Sequence, residues 1–298
     1  MGRFSTAPQL EVSLQGNIFV KSPLVSTEWL LDHSNDQNLV IIQATIGKII
    51  GKEPIIYSSP ICIPNSFKVD IENDLSDLTS DVIHAFPTEQ QFNALSQRLG
   101  ITHDHTVVIY DDQGIYAAPR IWWIFKSFGV ENVFILDGGL PKWLNEHKPS
   151  ATEYLVPNQP QSAALFSFIP QNVCSLEMML QNIQTKQFIA VDARAADRFS
   201  GSVPEPRLGV RSGHIPNAVN LPFGQVIDDI CYKSSEALND IFNIISPDKF
   251  QPLSFSCGSG VTGCIILVAA IIAGRSNVSL YDGSWSEWGS IPTLPIEL

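Results

Sequence analysis

The chain repeats itself. Displaced by 145 positions it meets its own residues without a gap: Gly129 falls on Gly274, Asn132 on Asn277, Val133 on Val278, Asp137-Gly138 on Asp282-Gly283 and Trp143 on Trp288. Upstream the register slips by a few residues, where Ile63-Pro64-Asn65 echoes Ile215-Pro216-Asn217 and Ala44 echoes Ala193. So long a separation is no solenoid period. It describes two copies of one domain of about 130 residues, a size that a chain of 298 residues accommodates twice.

Each copy follows one plan. An apolar strand comes first, Leu39–Gln43 or Phe188–Asp192, and a second follows, Thr106–Tyr110 or Leu253–Ser256. A loop leads into a helix, Pro119–Phe128 or Gly263–Ala273, and a third strand, Val133–Leu136 or Val278–Tyr281, ends in Asp-Gly. Continuous apolar strands alternating with helices predict an α/β fold, each copy a mostly parallel sheet flanked by helices. The spacing places the copies at residues 19–148 and 168–298. Residues 149–167, rich in Pro, Ser, Ala and Gln without a period, read as the linker. Ligands of such sheets sit beyond the carboxyl ends of the strands, and a site is expected where the two copies meet.

Charge and cysteine content narrow the function. With 18 basic against 30 acidic residues the formal net charge is −12, and no Lys/Arg run is present. That speaks against a nucleic-acid partner, and an anionic substrate must be met by a few local arginines. Five cysteines, Cys62, Cys174, Cys231, Cys257 and Cys264, are an odd, sparse set for a disulfide framework, and no C-x-x-C pair suggests zinc or dithiol chemistry. A reducing compartment follows, with no metal or organic cofactor. The longest apolar run, Val261–Ala273, is shorter than the roughly 20 residues of a membrane span. Met1 to Asn17 holds no apolar stretch of signal-peptide length, and Met-Gly with Ser5 or Thr6 has only a loose likeness to a myristoylation signal. The expected setting is cytoplasmic, without a membrane partner.

The sharpest local feature is Ser256-Cys257-Gly258-Ser259-Gly260-Val261-Thr262, between a strand and a helix. Two glycines let the chain curl tightly. Several backbone N–H groups then face inward at the positive end of the helix dipole. Donors around a sulfur favour the thiolate, the nucleophilic form, and the same cradle stabilises a persulfide anion. A buried cysteine on a turn is the competing reading. Cys264, inside the apolar helix run, is expected in the core. Cys62, Cys174 and Cys231 have no comparable setting.

Cys257-Gly258-Ser259-Gly260-Val261-Thr262 resembles the six-residue active loop of the mercaptopyruvate sulfurtransferases, in the two-domain rhodanese superfamily. Asp282-Gly283-Ser284-Trp285-Ser286-Glu287-Trp288 resembles the segment after the loop helix. Val191-Asp192-Ala193-Arg194 and Arg211-Ser212-Gly213-His214-Ile215-Pro216 resemble earlier signatures. So, in the first half, do Arg120-Ile121-Trp122-Trp123 and Leu136-Asp137-Gly138-Gly139-Leu140-Pro141. The resemblance spans about residues 20 to 290. It implies two tandem rhodanese-like domains of which only the second is active. The 145-position offset agrees, because it pairs Cys257 with Asp112, and a carboxylate cannot carry a persulfide.

The resemblance also implies roles. Cys257 takes sulfur from 3-mercaptopyruvate, pyruvate leaves, and the persulfide passes to a thiol such as thioredoxin or glutathione, or to cyanide. Arg198 and Arg207 match the arginines that grip the substrate, a task suited to a guanidinium fork. Arg211 and Arg194 are weaker candidates, Arg194 serving equally well as a structural ion-pair residue. Gly258, Gly260, Val261 and Thr262 form the loop side of the substrate site. Ser259 and His84 match the serine and histidine of a proton-handling group. Its acid is Glu72, which takes an aspartate's place, or Asp74. His214 is expected to hold a turn. Three departures stand out: Gly263 where the family has alanine, Cys62 where it has histidine, and Ile46–Ile61, which matches nothing.

Other functions are weighed against this one. Thiosulfate, a compact dianion, would favour basic residues inside the loop, and positions 258 to 262 carry none. Thiosulfate sulfurtransferase is therefore the second reading. A phosphatase or arsenate reductase needs a longer loop ending in arginine, and this one ends Val261-Thr262-Gly263. A silent sulfur carrier would accept sulfur at Cys257 with negligible release of pyruvate.

Overall fold

The computed structural model describes residues 22–157 and 164–298. The opening stretch that bears on targeting, and part of the linker, lie outside the described residues. In the first half, strands β1 (Leu24–Val25), β2 (Leu39–Thr45), β3 (Ser66–Asp70), β4 (Thr106–Asp111) and β5 (Val133–Leu136) form a parallel sheet in the order β1-β5-β4-β2-β3. Its helices are α1 (Thr27–His33), α2 (Ile71–Asp74), α3 (Glu89–Leu99), α4 (Ala118–Ser127) and α5 (Gly139–Asn145).

The second half repeats the plan. Strands β6 (Val173–Cys174), β7 (Ile189–Asp192) and β8 (Val219–Asn220) precede a short antiparallel ribbon, β9 (Ile227–Asp228) with β10 (Cys231–Tyr232). With β11 (Leu253–Ser256) and β12 (Val278–Tyr281) the main sheet runs β6-β12-β11-β7-β8, again parallel. Its helices are α6 (Leu176–Thr185), α7 (Ala196–Phe199), α8 (Ser235–Ile245), α9 (Gly263–Ile272) and α10 (Ser284–Trp288). The two strand orders coincide position for position, so the repeat in sequence is a repeat in fold.

Burial explains the composition of the central elements. β4 is buried from Val107 to Asp111, and its β-branched run suits a strand covered on both faces. α9 is apolar all round because it is enclosed between its own sheet and α4 of the first half. Trp122, Trp123 and Phe125 of α4 share one core with Ile266 and Leu267 of α9. The two halves are thus joined by a continuous apolar core. Gly263 opens α9 tight against β11, since a Cβ there would stand 3.1 Å from the Ser256 carbonyl carbon. A glycine that weakens the first helical turn also permits that approach.

The described parts of the segment joining the halves lie along the first one. Cys62 and Ala151 exchange both backbone hydrogen bonds, at 2.8 and 2.9 Å, and Leu155 N–H donates to the Ser66 carbonyl at 2.9 Å. Phe166 is buried edge-on against Phe92, with both of its backbone groups on the Asn93 side chain. Among the described residues no helix is long and apolar enough to cross a membrane.

Candidate active site

Cys257 follows the last residue of β11 and is 2% exposed. It lies in a cavity of about 480 Å³ walled by both halves, where Glu72, His84 and Tyr116 face Arg198, Arg207 and the cysteine loop. The loop is tied down from behind. Cys257 N–H donates to Ser284 Oγ at 3.1 Å, and that hydroxyl donates to the Tyr281 carbonyl at 2.9 Å. Trp285 and Ser286 N–H donate to the carbonyls of Cys257 and Gly258 at 3.0 and 2.8 Å. Ser284 takes φ 51, a left-handed conformation unusual for a residue with a side chain. Gly260 takes φ 77, and a Cβ there would meet the Asp282 carbonyl at 2.9 Å and Arg120 Nη1 at 3.0 Å. Among the described residues, no protein acceptor takes the backbone N–H groups of 258 to 262. They remain available to an anion held in the loop, as at other strand-to-helix turns.

A hydrogen-bonded chain crosses from one half to the other. Arg207 Nη2 donates to Ser259 Oγ at 3.1 Å, Ser259 Oγ lies 3.0 Å from His84 Nδ1, and His84 Nε2 lies 3.4 Å from Glu72 Oε1. A carboxylate at Nε2 calls for the proton there, leaving Nδ1 to accept from the serine. Burial lowers the His84 pKa. Its contact with Glu72 opposes that, and the Arg120 and Arg207 charges add to the lowering, so the imidazole is neutral at pH 7. His84 itself takes φ 59. Of the two candidate acids, Glu72 reaches the histidine. Asp74 is turned away, to Arg98 Nη2 and the Asp70 N–H.

Arg120 of α4 locks this crossing, although the sequence marked it only as part of a motif. It is fully buried. Nη2 donates to the His84 carbonyl at 2.6 Å and pairs with Asp282 Oδ1 at 2.7 Å, and Nη1 reaches the Gly260 carbonyl at 3.4 Å. Asp282 Oδ2 accepts the Phe86 N–H at 2.7 Å, and the guanidinium lies 4.8 Å from the Phe86 ring centroid. One ion pair therefore holds the histidine segment and the cysteine loop together.

Arg198 and Arg207 both line the cavity. Arg194 reaches it too but is buried, with its guanidinium on Asp192 and Glu205. Arg211 corrects an expectation: it lies away from the cavity, spent on carbonyls of the carboxyl-terminal segment, including Gly289 at 3.1 Å and Ile291 at 2.7 Å. His214 stacks on Phe199 at 3.8 Å and its Nδ1 lies 2.8 Å from the Phe199 carbonyl, so its side chain ties down the end of α7 rather than the turn that follows it.

The corresponding loop of the first half is filled from within. The Asp111 carboxyl group accepts the N–H groups of Gln113, Tyr116, Ala117 and Ala118 at 2.8 to 2.9 Å, so the start of α4 is already occupied by the chain's own acceptor. Asp112, paired with Cys257 by the repeat, instead meets the Gln113 side chain. The same loop anchors the segment that matched nothing in the sequence. Tyr116 Oη takes the Ile50 N–H at 2.7 Å and donates to the Ile50 carbonyl at 2.9 Å, and Gln113 Oε1 takes the Ile55 N–H at 2.8 Å. That segment lends Ile46, Lys48, Ile50 and Gly51 to the cavity wall. Among the described residues, no group of three His, Cys, Asp or Glu side chains is placed to hold a metal ion.

Comparison with known proteins matches this architecture twice over. A family model described as "Rhodanese-like domain" matches residues 26–146 and 175–291. The chain is 41% identical to 3-mercaptopyruvate sulfurtransferase of Mus musculus over 76% of each chain. It is 40% identical to thiosulfate sulfurtransferase of Rattus norvegicus over the same shares. The crystal structure of SseA from Escherichia coli, described among 3-mercaptopyruvate sulfotransferases, superposes with a TM-score of 0.77 at 32% identity, covering 90% of this chain and all of that one.

Proposed function

The chain belongs to the rhodanese-like family of sulfurtransferases, and from that membership we propose that it takes sulfur from 3-mercaptopyruvate through a persulfide on Cys257. The observation that carries the choice of donor is the Ser259, His84 and Glu72 chain in the Cys257 cavity. Mercaptopyruvate has a thiol proton that must leave sulfur and arrive on carbon. Thiosulfate has none to move, so a proton relay serves only the first donor.

The steps balance as follows. The Cys257 thiolate attacks the substrate sulfur, forming an S–S bond. The carbon–sulfur bond breaks, and its electron pair becomes the enolate of pyruvate. The proton from the substrate thiol passes through Ser259 and His84 and ends on the enolate carbon. Pyruvate leaves, and Cys257 holds a persulfide anion in the cradle of loop N–H groups. An acceptor thiolate, from thioredoxin or glutathione, or cyanide, then attacks the outer sulfur and regenerates the thiolate. Arg198 and Arg207 bind the substrate carboxylate and ketone, while Gly258, Gly260, Val261 and Thr262 shape the loop side. The first domain, with Asp112 at the cysteine position, shapes the site and carries no sulfur. All five cysteines are free thiols, which supports a reducing, cytoplasmic setting.

The test is intact-protein mass spectrometry after brief exposure to 3-mercaptopyruvate, with pyruvate release assayed in parallel. The expected result is a gain of one sulfur atom at Cys257, reversed by a thiol. A gain from thiosulfate alone would instead establish the second reading, which the rat thiosulfate sulfurtransferase match favours. A gain without pyruvate release would leave a sulfur carrier.

A further inference from the structure

The two cavity arginines are not equivalent. Arg198 is forked onto Glu205, with Nε at 3.2 Å from Oε1 and Nη2 at 2.5 Å from Oε2. Arg207 has no carboxylate partner among the described residues and donates to Ser259. Yet both converge on one spot: a Cβ placed on Gly258 would stand 3.3 Å from Arg198 Nη2 and 3.4 Å from Arg207 Nη1.

Glu205 is itself fixed. Its side chain is 2% exposed, and Oε1 also accepts Arg194 Nη1 at 2.8 Å. Arg194 in turn is held by Asp192 at the end of β7 through Nε at 2.9 Å and Nη2 at 2.7 Å, by the Gly213 carbonyl at 2.8 Å, and by the Trp285 ring at 4.5 Å. A buried line of alternating charge therefore runs from the strand end through Asp192, Arg194 and Glu205 to Arg198. No water-exposed group lies between the strand and the aimed guanidinium.

We infer that Glu205 is a positioning residue that aims the Arg198 fork at the substrate carboxylate beside Gly258, while Arg207 keeps its positive charge uncompensated. The inference rests on the reading of the substrate as a small 2-oxo carboxylate. A fork pre-set by a buried carboxylate loses little freedom on binding, which favours affinity. Because Glu205 also cancels one charge, its two possible effects have opposite signs. Losing only its charge would tighten an anionic substrate; losing its aim would weaken it.

Glu205→Gln and Arg198→Lys, each in the full chain, separate the two. The expected result for each is a KM for 3-mercaptopyruvate raised about tenfold with kcat within about twofold, the signature of lost substrate binding. The double variant should be no worse than either alone, because both break one unit. A KM that falls or holds in Glu205→Gln, or losses that add in the double variant, would overturn the inference. A second readout needs no turnover: the pyruvate concentration that halves alkylation of Cys257 by iodoacetamide should rise about tenfold in both variants. If the natural protein releases no pyruvate from 3-mercaptopyruvate, the proposed donor falls, while this protection still decides the role of Glu205. Arg198→Lys removes no buried charge, so it stays informative even if Glu205→Gln folds poorly.

Discussion

His84 Nδ1 lies 3.0 Å from Ser259 Oγ, although 175 positions separate the two residues. One comes from each half, so the contact exists only when both are folded and docked. Burial first, and then Arg120 and Arg207, hold the imidazole pKa below its ordinary 6.5 against the pull of Glu72. Above that lowered value His84 is neutral and accepts the serine proton. As pH falls through it, the ring is protonated and the relay loses its acceptor. The folded state also loses stability there, because the unfolded chain binds the same proton more tightly. The kcat/KM for 3-mercaptopyruvate should therefore show an acid limb centred below pH 6.5. His84→Asn should remove that limb and slow pyruvate release by about 10²–10⁴-fold. A limb centred above 6.5 would contradict the assignment.

Cys257→Ser should abolish sulfur uptake and pyruvate release. Serine is nearly isosteric, and the loop is held through backbone groups that survive the change: the Cys257 N–H on Ser284 and its carbonyl on Trp285. Thermal unfolding should shift by no more than a few degrees, within the range of about 1 kcal/mol common for mild substitutions. A residual rate near that of the natural protein would exclude Cys257 as nucleophile.

The parts legible in the sequence are those whose signal is local. β5 and β12 are read at their observed bounds because each is a short, largely apolar run closed by Asp-Gly. β2 runs on to Thr45, beyond its expected end at Gln43, because Ala44 pairs with Asp111 and Thr45 with Asp70 across the sheet. Two-residue edge strands such as β1 and β8 carry no periodicity at all and exist through their partners. The same division holds in the site. Cys257 is announced by its glycine-rich loop. Ser284 and Arg120 sit within recognisable segments and Glu205 between the two matched arginines, but their work depends on residues brought near only by folding. Asp111 is the sharpest case: the repeat points to Asp112, while the carboxyl group that fills the loop belongs to its neighbour.

The arginines should separate donors. Arg198→Ala and Arg207→Ala should each lower kcat/KM for 3-mercaptopyruvate more than for thiosulfate, since only the former offers a carboxylate and a ketone to a guanidinium. Arg207→Ala should be the more severe, because it also removes the donor to Ser259 and a guanidinium that no carboxylate offsets. Side-by-side steady-state kinetics with both donors measure this. Equal losses for the two would remove the case for carboxylate recognition.

Arg120 links stability to chemistry. It is fully buried, and its guanidinium is shared among the His84 carbonyl, the Gly260 carbonyl and Asp282. Removing one partner of a buried ion pair strands the other and costs about 3–5 kcal/mol. Arg120→Met should destabilise by that order in urea unfolding, because methionine fills the space but leaves Asp282 unpaired. Asp282→Asn, added to it, should recover part of the loss by removing the stranded charge, even though the Phe86 N–H needs an acceptor at that position. Pyruvate release should not recover with stability, since neither variant restores the donor that holds His84 and Gly260 to one another. Full recovery of activity in the double variant would show that the ion pair serves the fold alone.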